Sequence, residues 1–372
     1  MTRIVAAGTF AADYSRNQIL LGLLRDIGYD VDVIRFDLWG DERPMLLTRR
    51  KLPLAGRAIG IYLRLAWRVL RTPKPRFFVV LYPGHFDVRL VALIGRLRRV
   101  PTIYDHFISL EETIVGDRGL RGETSSLARV LRRIDRGACR AASVVLADTP
   151  ADAHYFAARA DIDMSRVRVV WVGAQDVFEF SDATPERRLV FFHGTYIPLH
   201  GIDTIVRAAK LLEGDGIRFR LLGSGQERAP IEQLVRTLKI TNVELAVPVP
   251  LAELPAQIAR GELCLGIFGT TEKALRVVPN KVFEYLAVGR PVLTADTPGI
   301  RSAFSTELAL VEPGNPEALA AAVRRLLDDP TELARLAAAG RARYEQDYSR
   351  GALGRLVTRH LRELGLAPSS TR

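Results

Sequence analysis

Short apolar runs alternate with helix-length segments along the whole chain, and few folds accommodate such a pattern. In the first half the runs are residues 3–8, 31–36, 77–82, 101–104, 143–148 and 166–171. In the second half they are residues 188–194, 217–223, 242–246, 262–268, 291–296 and 308–311. The runs are continuously apolar, which is typical of strands covered on both faces. Strand–helix–strand repeats of this kind predict parallel sheets joined by right-handed crossovers.

The length of the chain predicts two domains. Its 372 residues are too many for one ordinary hydrophobic core. Residues 173–188 are polar and irregular and contain proline, as a linker does. We therefore expect an α/β protein with two Rossmann-like, doubly wound domains, residues 1–172 and 189–349, facing each other across a cleft. Residues 350–372 form a candidate helix that packs back on the first domain.

Composition bears on the compartment and the partners. The two cysteines, Cys139 and Cys264, lie in apolar or helical contexts, which argues against a disulfide framework and favours a reducing compartment. No apolar run approaches the roughly 20 residues of a membrane span. The formal charge of +11, mostly arginine, suits phosphate, nucleic acid or an anionic membrane surface. Neither zinc-finger spacing nor an RRM-like aromatic motif occurs, so we expect a cytoplasmic protein that binds no nucleic acid.

Two familiar cofactor patterns are incomplete. The segment "LLGSGQER" places Gly223 and Gly225 after a strand, but Arg228 occupies the third glycine position of a dinucleotide fingerprint. The two glycines indicate either close backbone approach to a ligand or a tight strand-to-helix turn. An Asp-x-Asp pair that binds a nucleotide through a metal should directly follow a strand. The Asp-x-Asp pairs at residues 30–32 and 161–163 instead precede strands. The six histidines show no ligand spacing, so we expect no bound metal and no cofactor.

A helix beginning near Pro279 carries the clearest ligand signal. Pro279 suits the first helical position with Val278 as the cap, or else Asn280 caps the helix. Either way, free amides and the helix dipole favour an anion at this end. Lys281 adds positive charge, and Glu284 lies on the same helix face. One alternative is that Lys281 and Glu284 form an exposed ion pair worth under about 1 kcal/mol. The other is that they belong to a nucleotide site, with a phosphate at the helix end and the ribose about 5 Å further along the helix.

The segment "PNKVFEYLAVGRPVLTADTPGIRSAF" resembles the donor-site helix of GT-B glycosyltransferases of the retaining family 4 type. Other segments in register with it are "VFFHGTYIPLHGIDTIVRAAKLL", "FRLLGSGQE", "LALVEPGNPEALAAAVRRLLDDP" and "SRNQILLGLLRDIGYDVDVI". The resemblance implies a nucleotide-sugar donor in the C-terminal domain and an acceptor in the N-terminal domain. It also implies that Glu284 binds the ribose hydroxyls.

The chain departs from that family at three polar positions. Such enzymes often carry two glutamates separated by seven residues, and the first position here is Arg276. They often carry arginine and lysine after the first C-terminal strand, where this chain has Thr195 and His200. We therefore predict that Arg276 and Lys281 bind the diphosphate and that Gly194 and Thr195 allow close backbone approach. His200 is either a donor contact or a turn residue.

The predicted reaction is metal-independent glycosyl transfer, in which cations and helix amides stabilise the departing phosphate. For retaining members, the resemblance implies attack on the same face as departure. Asp105 and His106 follow a strand and are the candidate catalytic residues on the acceptor side, although Asp105 is also suited to capping the next turn. His85 and Asp87 are a weaker pair of the same kind. Arg16 is a candidate contact for an acceptor or a phosphate.

Residues 57–71 are amphipathic at helical spacing. The predicted apolar stripe consists of Ile59, Tyr62, Leu63, Ala66, Trp67 and Leu70, and the predicted opposite face carries Arg57, Arg64, Arg68 and Arg71. Residues 49–51 add three more basic side chains. Packing on the N-terminal sheet explains the stripe, and docking on an anionic membrane explains the arginines. Docking would suit a lipid-linked acceptor, beside the glycan and glycolipid acceptors.

Two other functions fit the same residues. A nucleotide-sugar epimerase would share the fold but needs more acid–base residues than the sequence offers. A catalytically silent sugar-nucleotide-binding or scaffold protein would explain the altered residues Arg276, Thr195 and His200.

Overall fold

The computed structural model describes residues 1–38, 51–112 and 125–368. All twelve predicted strands occur in this part of the chain. The first six are β1 Thr2–Gly8, β2 Tyr29–Arg35, β3 Phe78–Val80, β4 Thr102–Asp105, β5 Val144–Ala147 and β6 Val167–Val169. The other six are β7 Glu186–His193, β8 Arg218–Leu222, β9 Val243–Ala246, β10 Gly261–Leu265, β11 Val292–Ala295 and β12 Ala309–Val311.

The described residues form fourteen α-helices between and after these strands. Around the first six strands lie α1 Ser15–Asp26, α2 Lys51–Arg71, α3 Asp87–Arg98, α4 Ser126–Ala141 and α5 Pro150–Ala160. Around the second six lie α6 Ile202–Leu211, α7 Arg228–Thr237, α8 Leu254–Arg260, α9 Glu272–Arg276, α10 Asn280–Val288, α11 Pro298–Ala303, α12 Pro316–Leu327 and α13 Pro330–Arg343, and α14 Arg350–Glu363 ends the series. Short 3₁₀ helices cover Met164–Arg166, Pro198–His200 and Leu251–Glu253, and a π-helical turn covers Tyr344–Tyr348.

The strands form two separate six-stranded parallel sheets. The first has the order β2-β1-β3-β4-β5-β6 and the second β12-β11-β10-β7-β8-β9. In the second sheet the connections reverse direction between β7 and β10, and ligands of such sheets bind outside the carboxyl ends of the strands at this point. The predicted pair of doubly wound parallel sheets is confirmed.

The chain divides into two compact units. The described residues up to Trp171, together with those from Leu353 onwards, form the first unit, and Val172–Ala352 form the second. Which ligand each unit binds stays a prediction. Both cysteines are buried and unpaired. No helix in the described part of the chain is long and apolar enough to cross a membrane.

Helices cover both faces of the first sheet. On one face α1 and α14 pack in the same apolar cluster, through side chains such as Leu24 and Leu361. On the other face α2, α3 and α4 share a cluster that includes Leu65, Ile94 and Cys139. Burying such side chains stabilises the fold by about 1.5–3 kcal/mol each.

The predicted orientation of α2 is wrong in one respect. Among residues 56–71 of this helix, the buried apolar side chains are Ile61, Leu65 and Val69. Four members of the predicted stripe, Ile59, Leu63, Trp67 and Leu70, are exposed instead, and Tyr62 and Ala66 are half-buried between the two rows. The helix has two apolar rows, and the row that fits against α3 and the sheet is the one that the stripe omits. Residues 49 and 50 of the predicted basic segment lie outside the described residues.

Candidate functional site

The end of β7 and the beginning of α10 meet at the switch point of the second sheet. The backbone N–H of His193, the last residue of β7, donates to the hydroxyl of Tyr285 at 3.1 Å. Pro279 is the N-cap residue and Asn280 the first helical residue, so neither predicted cap, Val278 or Asn280, is correct. Pro279 makes no side-chain hydrogen bond that caps this end. The nine-residue helix ends at Gly289, as predicted, with φ 87°.

Lys281 is buried at this helix end. The residue is only 4% exposed, and its Nζ lies 4.8 Å from the centroid of the Phe192 ring. Burial lowers the pKa of Lys281 to about 7, and nearby Glu284 offsets part of the effect. A buried ammonium is unfavourable unless paired, so this position suits a side chain that completes its interactions with an anion.

His200 contacts the ammonium group of Lys281. Nζ of Lys281 lies 3.2 Å from Nε2 of His200. Burial, and secondly the charge of Lys281, lower the pKa of His200 well below its usual value. The imidazole is therefore neutral near pH 7 and accepts a hydrogen bond from Lys281 through Nε2.

Glu284 faces the end of β7 rather than Lys281. It is 8% exposed, and its Oε2 lies 3.0 Å from Nε2 of His193. The angle between them is outside hydrogen-bond geometry, so among the described residues both atoms lack a hydrogen-bond partner, as does Nδ1 of His200. The alternative of an exposed Lys281–Glu284 ion pair is wrong, because both side chains are buried. Buried polar atoms are normally hydrogen-bonded, so these three atoms have capacity for a ligand.

The predicted glycines bring the loops around this cluster together. A Cβ on Gly194, whose φ is 148°, would lie 3.1 Å from His200 Cε1 and 3.1 Å from Lys281 Nζ. A Cβ on Gly223, whose φ is 159°, would lie 2.0 Å from the carbonyl oxygen of Gly194. Gly225 similarly abuts the backbone of Tyr196. The glycine pair therefore serves the tight packing of two strand-to-helix turns, and no ligand is needed to explain it.

The remaining predicted donor residues, Arg276, Thr195 and Asn280, are less buried than Lys281 and Glu284. Arg276 ends α9 and lies 4.0 Å from the carboxylate of Glu272. Thr195 is exposed directly after Gly194, and Asn280 is half-buried. Their donor-binding roles stay predictions, as do those of Lys281, His200 and Glu284. Sequence reasoning missed His193. Its position as a polar residue at the carboxyl end of a strand was the available signal.

In the first unit, Asp105 forms a buried ion pair with Arg16. The guanidinium Nη2 of Arg16 lies 2.9 Å from Oδ1 of Asp105, and both side chains are at most 1% exposed. Nη1 of Arg16 donates to the carbonyls of Val170 and Trp171 at 2.6 and 3.0 Å. Asp105 therefore does not cap the following turn, and Arg16 is engaged within its own unit. The catalytic role predicted for Asp105 stays untested, and these contacts describe a side chain that joins elements of the fold.

His106 is buried in an aromatic cluster. Its ring centroid lies 4.4 Å from that of Phe156, and its Nδ1 lies 3.1 Å from the Tyr104 hydroxyl. Burial, and secondly His85, lower the pKa of His106 well below its usual value. The ring is neutral near pH 7 and could accept a proton, but it is nearly inaccessible to solvent. Its predicted catalytic role stays a prediction.

Potential metal-ligand atoms of His85, His106 and Asp135 lie within 4.8 Å of one another. The sequence did not anticipate this grouping. Asp135 accepts hydrogen bonds from the Ser109 hydroxyl at 2.8 Å and from the amides of Leu110 and Glu111 at 3.2 and 3.1 Å. Nε2 of His85 lies 2.8 Å from the Ile108 carbonyl oxygen. These bonds fix the segment after β4, and the expectation of no metal stays untested.

Asp87, the weaker acidic candidate, fixes the turn after β1. Its carboxylate accepts from the Thr9 amide at 2.6 Å and from the Tyr62 hydroxyl at 2.8 Å. Burial raises the pKa of Asp87 to about 6, although these hydrogen bonds oppose the rise. The contacts account for its burial without a substrate.

Comparison with known proteins identifies the fold around these sites. A family model described as "Glycosyl transferase-like" matches residues 203–352. The chain is 25% identical to alpha-D-kanosaminyltransferase of Streptomyces kanamyceticus over 249 residues, which are 62% of this chain and 63% of that protein. It is 25% identical to WcaI of Escherichia coli (strain K12) over 151 residues, 39% of this chain and 37% of that protein. Both alignments span less than two thirds of the relative's length.

Solved structures match almost the whole chain. Sucrose-phosphate synthase from Thermosynechococcus elongatus aligns with a TM-score of 0.75 and 17% identity, covering 99% of this chain and 100% of that one. Anabaena Alr3699/HepE, solved in complex with UDP, aligns with a TM-score of 0.71 and 14% identity, covering 98% and 100%. The chain therefore has the GT-B glycosyltransferase fold, with a glycosyl transferase-like domain at residues 203–352.

Proposed function

We propose that the protein is a glycosyltransferase that transfers a sugar from a nucleoside-diphosphate sugar to a glycan, glycolipid or lipid-linked acceptor. The observation that carries the proposal is the buried cluster of Lys281, His200, His193 and Glu284 at the switch point of the second sheet. The GT-B fold and the matched domain support it. The relatives named as transferases and the neighbour solved with UDP are consistent with such a donor.

The cluster suits the polar parts of a nucleoside diphosphate. The N-terminal amides of α10 and the ammonium of Lys281 would bind the diphosphate, since both favour an anion at a helix N-terminus. Arg276 would add charge at the edge. Glu284, one turn further along α10, would accept hydrogen bonds from the ribose hydroxyls, and His193 would position its carboxylate. His200, as a neutral acceptor, would hold Lys281 towards the phosphate.

The proposed reaction proceeds by breaking one bond and forming another at the anomeric carbon. The bond between that carbon and the diphosphate oxygen breaks with its electron pair leaving on the phosphate, and the acceptor oxygen bonds to the carbon. The acceptor's proton goes to the departing diphosphate or to solvent. Lys281 and the α10 amides would stabilise the charge that develops on the departing oxygen. We propose that transfer is metal-independent and retaining, in keeping with the resemblance to family 4.

A catalytically silent sugar-nucleotide-binding protein is the second candidate. The observation in its favour is the set of residues that replace the family's usual charged ones, Thr195, His200 and Arg276. Such a protein would bind the donor without breaking its glycosidic bond, so binding and turnover separate the two candidates.

The test combines a binding panel with a hydrolysis assay. UDP, GDP, ADP and dTDP are added separately, and the melting temperature is recorded. The diphosphate that raises it is then supplied as its sugar forms, without acceptor and with EDTA, and release of free diphosphate is measured. Slow release at a rate above the protein-free blank is expected. Binding without release would favour the silent protein, and binding of none of the four diphosphates would contradict both.

A further inference from the structure

The first unit exposes a group of large apolar side chains on two neighbouring helices. We call this group the apolar strip. Its members on α2 are Ile59, Leu63, Trp67 and Leu70, exposed by 64%, 67%, 53% and 50%, and on α3 they are Leu93 and Leu97, exposed by 54% and 73%. Exposed apolar groups of this size on a soluble domain mark a binding surface more often than isolated exposed leucines do.

Hydrogen bonds show that α2 and α3 run side by side. Near the start of α3, the Tyr62 hydroxyl donates to Asp87 at 2.8 Å. At its end, the Arg98 guanidinium donates to the carbonyls of Val69 and Thr72, each at 2.7 Å. The two helices therefore pack side by side, which places their exposed rows on neighbouring helices of the same unit.

Arginines border the strip on both sides. On α2, Arg57, Arg64, Arg68 and Arg71 occupy the row next to the exposed apolar row. On α3, Arg89 and Arg96 lie towards α4, where they donate to the carbonyls of Arg133 and Ala141 at 3.1 and 2.9 Å. The Arg71 guanidinium also lies 4.8 Å from the centroid of the Trp67 ring. Cations thus flank an apolar centre.

Among the described residues, no acidic side chain pairs with the arginines of α2. The sequence of α2 contains no aspartate or glutamate. Asp87 of α3 and Asp135 of α4 are buried. Within the described part of the chain, none of the four α2 arginines Arg57, Arg64, Arg68 and Arg71 forms an ion pair. Within the described residues, the surface is therefore apolar at its centre and positively charged at its border.

We propose that the apolar strip inserts shallowly into an anionic lipid bilayer, with the bordering arginines at the phosphates of its headgroups. A helix layer with apolar side chains at its centre and cations beside them matches the interface between acyl chains and headgroups. Anionic lipid supplies the opposite charge. A second copy of the chain is a poorer partner, because pairing this surface with itself would bring like-charged borders together. The proposal rests on the first unit and does not depend on the donor site.

The experiment is co-sedimentation of the full chain with vesicles of pure phosphatidylcholine or of phosphatidylcholine with phosphatidylglycerol, at low and high salt. Wild type should bind only the anionic vesicles, and more weakly at high salt. An arginine variant, Arg64→Gln/Arg68→Gln/Arg71→Gln, should bind roughly a hundredfold more weakly, at about fivefold for each charge. An apolar variant, Leu63→Ser/Leu97→Ser, should lose binding at least about tenfold.

Matched controls lie on the second unit. Arg207→Gln/Arg236→Gln/Arg325→Gln removes the same charge, and Leu211→Ser/Leu251→Ser removes the same kind of exposed side chain. Both should bind vesicles like wild type, and every variant should melt at the wild-type temperature. The proposal would be overturned if wild type failed to bind anionic vesicles at low salt, or if the arginine and apolar variants bound them as well as wild type. If the chain does not bind vesicles, and light scattering shows a dimer that the apolar variant fails to form, the strip would be assigned to a second copy of the chain instead.

Discussion

The lowered pKa of Lys281 makes donor affinity depend on pH in a way that an ordinary lysine would not. Burial lowers the pKa of this ammonium from 10.5 to about 7 in the free protein. Only the protonated form attracts a diphosphate, so affinity should be highest at and below pH 7 and should fall as the pH rises. From pH 7 to pH 8.5 the protonated fraction falls from about one half to about one thirtieth, so affinity should weaken by about fifteenfold.

Ionisation of the ligand cannot produce this fall in affinity, because a phosphate that loses a proton as the pH rises would bind a cation more strongly. The second phosphate ionisation has a pKa near 6, so the ligand charge is almost constant above pH 7. A lysine with its usual pKa would remain protonated throughout the range, and affinity would be flat.

The assay is titration calorimetry with UDP, or with whichever diphosphate the panel identifies, at pH 7, 7.5, 8 and 8.5. Lys281→Arg should bind with an affinity independent of pH, because arginine stays protonated. Lys281→Met should bind weakly and equally at every pH. Wild-type affinity that is constant across the range would refute the reasoning, and a slope that persists in Lys281→Met would assign the titration to another group.

Three further predictions concern individual side chains. Glu284→Gln should weaken binding of the diphosphate roughly tenfold to hundredfold, since a charge-assisted hydrogen bond is worth about 1.5–3 kcal/mol. Calorimetry with unchanged affinity would remove Glu284 from the ribose. Asp105→Asn should lower the free energy of unfolding by about 3–5 kcal/mol in urea, because it leaves Arg16 buried without its counter-ion. A loss below 1 kcal/mol would contradict that role. The raised pKa of Asp87, about 6 in the folded chain, means that the folded state holds the proton more tightly. The stability of wild type relative to Asp87→Asn should therefore fall by about 2 kcal/mol between pH 4 and pH 6, and a constant difference would show that the carboxyl titrates normally.

The sequence predicted the strands well because each is a continuous apolar run bounded by turn residues. Runs of this kind can be buried on both faces only in a parallel sheet covered by helices. The position of Glu284 and Lys281 was also predictable, because proline before a short apolar helix marks its N-terminus. Each of the two predicted caps, Val278 and Asn280, lies one residue from the observed N-cap Pro279, because pattern alone does not show which of these residues takes the extended conformation of a cap.

Other features depended on contacts that pattern alone does not contain. The helix α2 has two apolar rows, and the choice of the Leu65 row over the Leu63 row depends on the shape of α3 beside it. Arg16 and Asp105 are 89 residues apart in sequence, so their pairing is set by the crossover topology. His193 was counted within a predicted strand, and its role beside Glu284 became visible only when α10 was placed against β7.

The central claim is that the end of β7 and the first turns of α10 bind a nucleoside diphosphate. A crystal structure of the chain with the diphosphate that the panel identifies tests this claim most directly. The account predicts the diphosphate within hydrogen-bond distance of Lys281 Nζ and the α10 amides, with both ribose hydroxyls on the carboxylate of Glu284. A diphosphate bound elsewhere, with the Lys281–His200 and His193–Glu284 contacts unchanged, would contradict it.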